Sequence, residues 1–417
     1  MKYLKGFTCL MSFILMLSWT LIGNAGEIVI GFTGPTSGPA AEYGQDVLNG
    51  IDLAVKDLNA AGGIKVKGQS YTFKLEKLDD RLDPTQAVSN ARRFRANGAI
   101  AVWSPVFNCI APLMKVNEEK GNEFLVMAYS ATPKVSALGN KLTVNTVGFP
   151  FSVLCQGLCD EAWSRGWRKV AVMITLGAYG DEWRQTFKDY WQKIGGTVTI
   201  DKPANYYTET DFSSQLTAIL GTKPDAIIVG GPSAPTALVM EQALNMGFKG
   251  KFILIDQSKM EDVARYLGGA KRMEGSIGLA PPEVLPVPGF PSYAKKYLAA
   301  YKKPCNWENV TTYTAMYALA EAIKSAGDVN DVTAIRAAFP KIFPILGDRF
   351  PWEFHGISDL GRFHGFMAIS SVENGRFTSP VGYAWWTKSA QELENIKKTT
   401  KLKAPLKPFE IKVPDAH

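Results

Sequence analysis

Apolar residues fall in short bursts along most of the chain, and the bursts alternate with stretches of helical spacing. Residues 28–32, Ile-Val-Ile-Gly-Phe, form the first burst and read as a buried strand. Behind it Val47, Ile51, Ala54, Val55 and Leu58 recur at helical intervals. The same beat predicts a strand over 71–78, a helix over 85–96 stopped by Asn97-Gly98, a strand over 99–103 and a helix over 110–120. Further strands are predicted over 124–128, 170–174, 226–229 and 252–255, with helices between them. This alternation predicts an α/β protein with parallel sheets covered on both faces. So many strands in one sheet would be unusual, and two sheets in two lobes suit the length better.

The pattern changes near Val147-Gly148-Phe149-Pro150, and again over 273–291, where Pro281, Pro282, Pro286, Pro288 and Pro291 crowd together. Helices over 293–301, 311–325 and 332–339 then read as chain returning to cover the first lobe. The expected division is residues 26–148 with 278–350 for lobe 1 and residues 149–277 with 351–390 for lobe 2. A Lys- and Pro-rich extension, 391–417, follows.

The N-terminus changes this picture. Lys2 and Lys5 precede an apolar stretch over 10–17, and Gly23-Asn24-Ala25 supplies small residues for cleavage. Residues 1–25 read as a secretory signal peptide cut after Ala25, with an uncleaved anchor as the alternative. Cys9 stands too early for a lipoprotein cysteine. No later segment has the roughly 18 unbroken apolar residues of a membrane span. The expected product is exported and soluble. The formal charge of the 417-residue chain is +7, and loss of the two leader lysines lowers it to about +5. The basic residues are dispersed, which argues for a solvated surface and against a nucleic-acid partner.

Candidate chemistry is sparse. The turn Gly34-Pro35-Thr36-Ser37-Gly38-Pro39-Ala40-Ala41-Glu42-Tyr43-Gly44 joins the first strand to the first helix and predicts an anion-receptive corner. It matches neither GxxxxGK[ST] nor GxGxxG, so nucleotide binding is disfavoured. Cys109, Cys155, Cys159 and Cys305 survive the leader, and an even number permits bridges. Cys155 and Cys159, four apart on a predicted helix, are badly placed for a mutual bond and read as buried small hydrophobes, with metal ligation the alternative. With only three histidines, His355, His364 and His417, neither a zinc site nor any other cofactor is expected. A hydrolase would need a nucleophile beside a base, and the chain has no G-x-S-x-G elbow near His355 or His364.

Several fragments in order then carry a resemblance. These are Gly34 to Gly44, Asn59-Ala60-Ala61-Gly62-Gly63-Ile64, Asp79-Asp80 with Asp83-Pro84-Thr85-Gln86-Ala87, Ala131-Thr132-Pro133, Tyr179-Gly180, Asp211-Phe212-Ser213 and Pro224-Asp225. In this order and spacing the chain resembles the type I periplasmic solute-binding proteins, specifically the branched-chain amino acid receptors of ABC transporters, over nearly the whole mature length. The resemblance implies two Rossmann-like lobes with parallel sheets, joined by a three-strand hinge and closing on one ligand. It implies a monomeric periplasmic receptor that serves an ABC permease in the inner membrane and binds a small molecule. A sensor on the same scaffold is the alternative, and the leader argues against it.

The resemblance also implies which residues hold the ligand. The loops Ser104-Pro105-Val106-Phe107-Asn108 and Tyr129-Ser130-Ala131-Thr132 take the place of the family's carboxylate-binding turns. Phe107 and Asn108 stand where a serine-rich turn is common, and Ser130 or Thr132 is left to supply a hydroxyl. Val106 and Leu82 occupy positions where many relatives carry a disulfide, so that bridge is absent. Asp256 aligns with the acid that takes an ammonium group; a helix cap is its bland alternative. Tyr179 aligns with a cleft tyrosine, and Tyr43 lies near the hinge-side wall; either could be a packed aromatic. Trp103, Phe107, Tyr129 and Tyr179 would make an aromatic cleft, unless Trp103 is a core residue at a strand end. A hydrophobic amino acid is the expected ligand, with an aromatic carboxylate or small amide second.

Overall fold

The computed structural model describes residues 26–408. The leader with its cleavage site after Ala25, residues 409–417 of the extension and His417 lie outside the described residues. The first sheet takes β1 Gly26–Gly34, β2 Ile64–Val66, β3 Gln69–Asp79, β4 Ala101–Ser104, β5 Leu125–Ala128 and β6 Thr143–Asn145, in the order β2-β3-β1-β4-β5-β6. The second is built on β7 Lys169–Ile174, β8 Thr197–Asp201, β9 Ala226–Gly230, β10 Lys251–Leu254 and β11 Ile277–Leu279. After a two-stranded hairpin, β12 Gly356–Ile357 with β13 Phe363–His364, the chain adds β14 Met367–Glu373, β15 Arg376–Phe377, β16 Val381–Ala384 and β17 Leu406–Pro408. The full order is β17-β16-β14-β11-β10-β9-β7-β8, with β15 on β14.

The expected parallel pairing holds along β3-β1-β4-β5-β6 and β11-β10-β9-β7-β8, and antiparallel strands are added to it. β2 runs antiparallel to β3, and β14 runs antiparallel to β11, β15 and β16. The alternating strands and helices enforce parallel pairing only where a helix intervenes. β2 and β3 are joined by a tight turn with Lys67 and Gly68 at φ 48° and 86°, and β14 arrives from the other lobe. The last strand, β17, pairs with β16 and so belongs to the edge of the second sheet.

Apolar runs make the strands. Every residue of β4, β5 and β9 is buried, which fits central strands covered on both faces. The Ala41–Ala60 helix packs against the Trp307–Ala326 helix, so later chain returns beside the first sheet's own helix. The contact is close. A Cβ at Gly50 would lie 2.2 Å from Thr312 Oγ1 and 2.4 Å from the Asn309 carbonyl, so only glycine fits there.

The chain passes between the sheets three times: after β6, after β11, and between the 332–338 helix and β14. Side chains tie the crossings together. Trp385 Nε1 donates to the Gly148 and Gly365 carbonyls at 2.8 and 2.9 Å, and Gly365 N donates to Gly148 at 2.8 Å. Trp307 Nε1 donates to the Ala280 carbonyl at 2.7 Å, with its ring edge-on to Trp352. Cys109, Cys155, Cys159 and Cys305 are free and buried. Among the described residues no helix is long and apolar enough to cross a membrane, and no group of His, Cys, Asp and Glu is placed to hold a metal.

Candidate ligand-binding cleft

Loops leaving the C-terminal ends of strands in both sheets meet across one cavity. The first sheet contributes Ala40 and Tyr43 after β1, Pro105 to Asn108 after β4, and Tyr129, Ser130 and Ala131 after β5. The second contributes Ala178 and Tyr179 after β7, Tyr207 after β8, and Asp256, Gln257 and Lys259 after β10. Trp307, Glu308 and Thr311 from the start of the Trp307–Ala326 helix, with Trp352, complete the wall. In open α/β sheets such crevices form where strand order reverses, and here it reverses at β1 and β4. The cavity measures about 100 Å³. One water needs about 10–15 Å³, so the space suits a ligand of roughly ten non-hydrogen atoms and excludes a peptide.

Tyr43, Phe107, Asn108, Tyr129, Ser130, Tyr179 and Asp256 all line this cavity. Trp103, Ser104 and Thr132 do not. Trp103 and Ser104 are fully buried at the end of β4, and Trp103 belongs to the core cluster, which is its structural reading. The loop register is also settled: Ser130 faces the cavity, whereas the Thr132 hydroxyl turns away and donates to Glu182 at 2.7 Å. The anion-receptive corner after β1 is already filled. Asp79 accepts from Thr36 N at 3.0 Å and Ser37 Oγ at 2.5 Å, so the chain's own carboxylate occupies it.

The open backbone donors lie elsewhere. The Phe107–Val116 helix starts at Val106, whose side chain cannot cap it. Phe107 and Asn108, the first residues of this uncapped helix start, line the cavity, and their amides lack the usual side-chain partner. The neighbouring 130–132 loop is held from behind by Arg362, which is fully buried. Its Nη1 donates to the Ser130, Val147 and Phe149 carbonyls at 3.3, 3.3 and 3.4 Å, and Nη2 donates to Thr132 O at 2.7 Å. Asn145 Nδ2 also donates to Ser130 O, at 2.8 Å. Both groups fix this loop through its carbonyls.

Across the cavity, Asp256 accepts from Tyr179 Oη at 2.6 Å and from Trp183 Nε1 at 3.0 Å. Phe151 packs edge-on to Tyr179 and stacks on Trp183, which fixes both donors. The helix-cap alternative is excluded, because the Met260–Tyr266 helix starts at Lys259 without a side-chain cap. Burial pushes the Asp256 carboxyl upward, against the opposing pull of Lys259 and its two ring donors. Burial likewise pushes the phenols of Tyr43, Tyr129 and Tyr179 well above their ordinary value, so they act as neutral donors and acceptors.

Lys259 and Glu308 form a buried ion pair at 2.5 Å, and Lys259 Nζ also donates to the Asp256 carbonyl at 2.5 Å. Burial works against the Lys259 charge, but Glu308 and Asp256 outweigh it and raise its pKa. For Glu308 burial wins over Lys259 and lifts the carboxyl to about 7, with Asp46 and Asp262 adding to the rise. A raised carboxyl contributes stability that is full below its unfolded value near 4.5 and is lost as pH climbs through about 7. Ligand-free protein is therefore expected to lose melting temperature between pH 5 and 8, and Glu308→Gln to flatten that decline. Thermal scans at several pH values in that window check this, and parallel profiles for the two proteins would refute it.

The rims of the cleft are clasped by polar pairs between the lobes. Glu182 meets Thr132 at 2.7 Å and Lys134 at 3.0 Å on one side. Glu42 meets Tyr266 at 2.6 Å and Arg265 at 3.4 Å on the other.

Lys259, Glu308, Tyr207 and Trp307 were not expected from the sequence. One signal did exist for Glu308. It is followed by a stretch without charge until Glu321, on a helix whose first turns are entirely buried. A carboxylate inside such a stretch is rarely a solvated residue.

Two lobes, a cavity between strand C-termini and a wall shared by both lobes define a solute-binding protein. The chain belongs to the periplasmic binding protein family: the profile described as "Periplasmic binding protein" matches residues 27–376. It is a binding protein and not an enzyme. "Leu/Ile/Val-binding protein homolog 1" of Brucella suis biovar 1 (strain 1330) is 27% identical over 330 residues, covering 77% of this chain and 85% of that protein. Among solved structures, the leucine binding protein LivK of Thermotoga maritima MSB8 superposes with a TM-score of 0.72 at 22% identity, covering 85% of this chain and 98% of its own. A solute binding protein of an ABC transporter from R. palustris, in complex with benzoate, also gives 0.72, at 19% identity, covering 86% and 96%.

Proposed function

We propose that this protein is the periplasmic receptor of an ABC importer, capturing a hydrophobic or branched-chain amino acid between its lobes. One observation carries the reading: a cavity of amino-acid size has uncapped helix amides at Phe107 and Asn108 on one lobe and the Asp256 carboxylate on the other. A zwitterion matches that polarity, with its carboxylate toward Phe107, Asn108, Ser130 and Ala131 and its ammonium toward Asp256. A charge-assisted bond of the latter kind contributes roughly 1.5–3 kcal/mol. Tyr43, Phe107, Tyr129 and Tyr179 would take the apolar body. The relatives named as Leu/Ile/Val-binding proteins support this choice. Export through residues 1–25, delivery to an inner-membrane permease and action as a monomer complete the proposal.

A second reading has its own support. Both Asp256 oxygens already accept a bond from within the second lobe, at Tyr179 and Trp183. That makes Asp256 less dependent on a ligand ammonium and admits an aromatic carboxylate, and a benzoate complex exists on the same fold. A thermal-shift screen of amino acids, benzoates and small amides separates the two. Ligand at about 100 times Kd stabilises by about 2.7 kcal/mol, so the cognate class should raise the melting temperature by several degrees. A rise only with benzoates selects the second reading, and no rise with any class rejects both.

A further inference from the structure

We propose that Glu308 is a second ligand-recognition carboxylate, taking the ligand's ammonium from the first lobe while Asp256 faces it from the second. The inference rests on the amino-acid reading above and deepens it. Glu308 is 2% exposed and lines the cavity. Its Oε1 is paired with Lys259 at 2.5 Å, but Oε2 has no hydrogen-bond partner among the described residues. A buried carboxylate oxygen left bare is costly, and native structures seldom keep one without a partner that arrives later. The free oxygen belongs to a group that already stands at the cavity wall, so the partner that fits is a donor on the ligand.

Charge selects the kind of donor. The cavity wall carries Asp256 and Glu308 against the single cation Lys259, and the tyrosines beside them are neutral. Lys259 is already engaged by Glu308 and by the Asp256 carbonyl. With both carboxyls ionised, one negative charge is in excess, and an ammonium, which itself favours their ionised forms, suits the site better than a neutral hydroxyl or amide. Lys259 sits in the second lobe, before the Met260–Tyr266 helix, and Glu308 sits in the first, on the Trp307–Ala326 helix. An ammonium bound at Oε2 would thus join a pair that already spans the cleft.

Calorimetric titrations of the full mature chain test this with matched probes: L-leucine against 4-methylpentanoate, and L-phenylalanine against 3-phenylpropanoate. The wild type should prefer the amine-bearing member of a pair that binds, and Glu308→Gln should reduce that preference at least tenfold. Should the single variant misfold through its unpaired Lys259, the double variant Lys259→Met, Glu308→Gln removes the pair together and should show the same collapse. A preference that survives in either folded variant would make Glu308 a mere counter-ion and overturn the proposal while leaving the receptor reading intact. If no probe binds the wild type, both fall together.

Discussion

Asp256→Ala is expected to weaken an amine-bearing ligand by about 2–5 kcal/mol, because its ammonium would lose a buried charged partner. At about 1.4 kcal/mol per decade that is roughly 30- to 4,000-fold in Kd. The same change strips the acceptor from Tyr179 and Trp183, leaving two donors unpaired in a low-dielectric wall. Asp256→Asn separates the effects. It keeps the volume and one acceptor oxygen, so it should restore much of the melting temperature but little of the affinity. Calorimetry and thermal scans on both variants read the two quantities independently. Unchanged affinity for amino acids in both would show that Asp256 serves only to hold its two aromatic donors.

The largest stability effect is expected at Arg362. Its guanidinium is fully buried and bonds carbonyls from the 130–132 loop and from the first crossing. Arg362→Met preserves much of the packed volume and leaves those carbonyls dry. Each unsatisfied group costs about 1–3 kcal/mol, and partial relaxation brings the expected total to about 3–5 kcal/mol. For a protein of this size that is on the order of 10 °C in melting temperature. Ligand affinity should fall as well, since the loop loses its anchor. A melting temperature within a degree of wild type would show that the carbonyls find other donors.

Much of the fold could be read from local pattern, and the reason is visible in particular elements. β4, β5 and β9 are short, wholly apolar and bounded by helical spacing, so their burial on both faces was written into a few adjacent residues. The strands β14, β16 and β17 were not legible, since their pairing depends on chain that returns from the other lobe. The Phe107–Val116 helix begins three residues before its expected start, because Phe107 and Asn108 look like loop chemistry when Pro105 precedes them. In the cleft, most residues carried by loops after strands were found, but Tyr207 and Lys259 on such loops were missed, as were Trp307 and Glu308 on a helix from distant sequence. Glu308 lies more than 50 residues from Asp256, and Arg362 comes from a glycine-flanked hairpin with nothing local to mark it. Trp103 and Ser104 erred the other way: a strand end resembles a cleft residue until its pleat direction is known.

The placement of Arg362 has a mechanical consequence. It rises from the third crossing and bonds both the first crossing and the loop at the floor of the cavity, so these parts are joined through one side chain. Under the proposed reading, a molecule that settles on Ser130 and Ala131 would be felt at the crossings directly, with no intervening lever to flex.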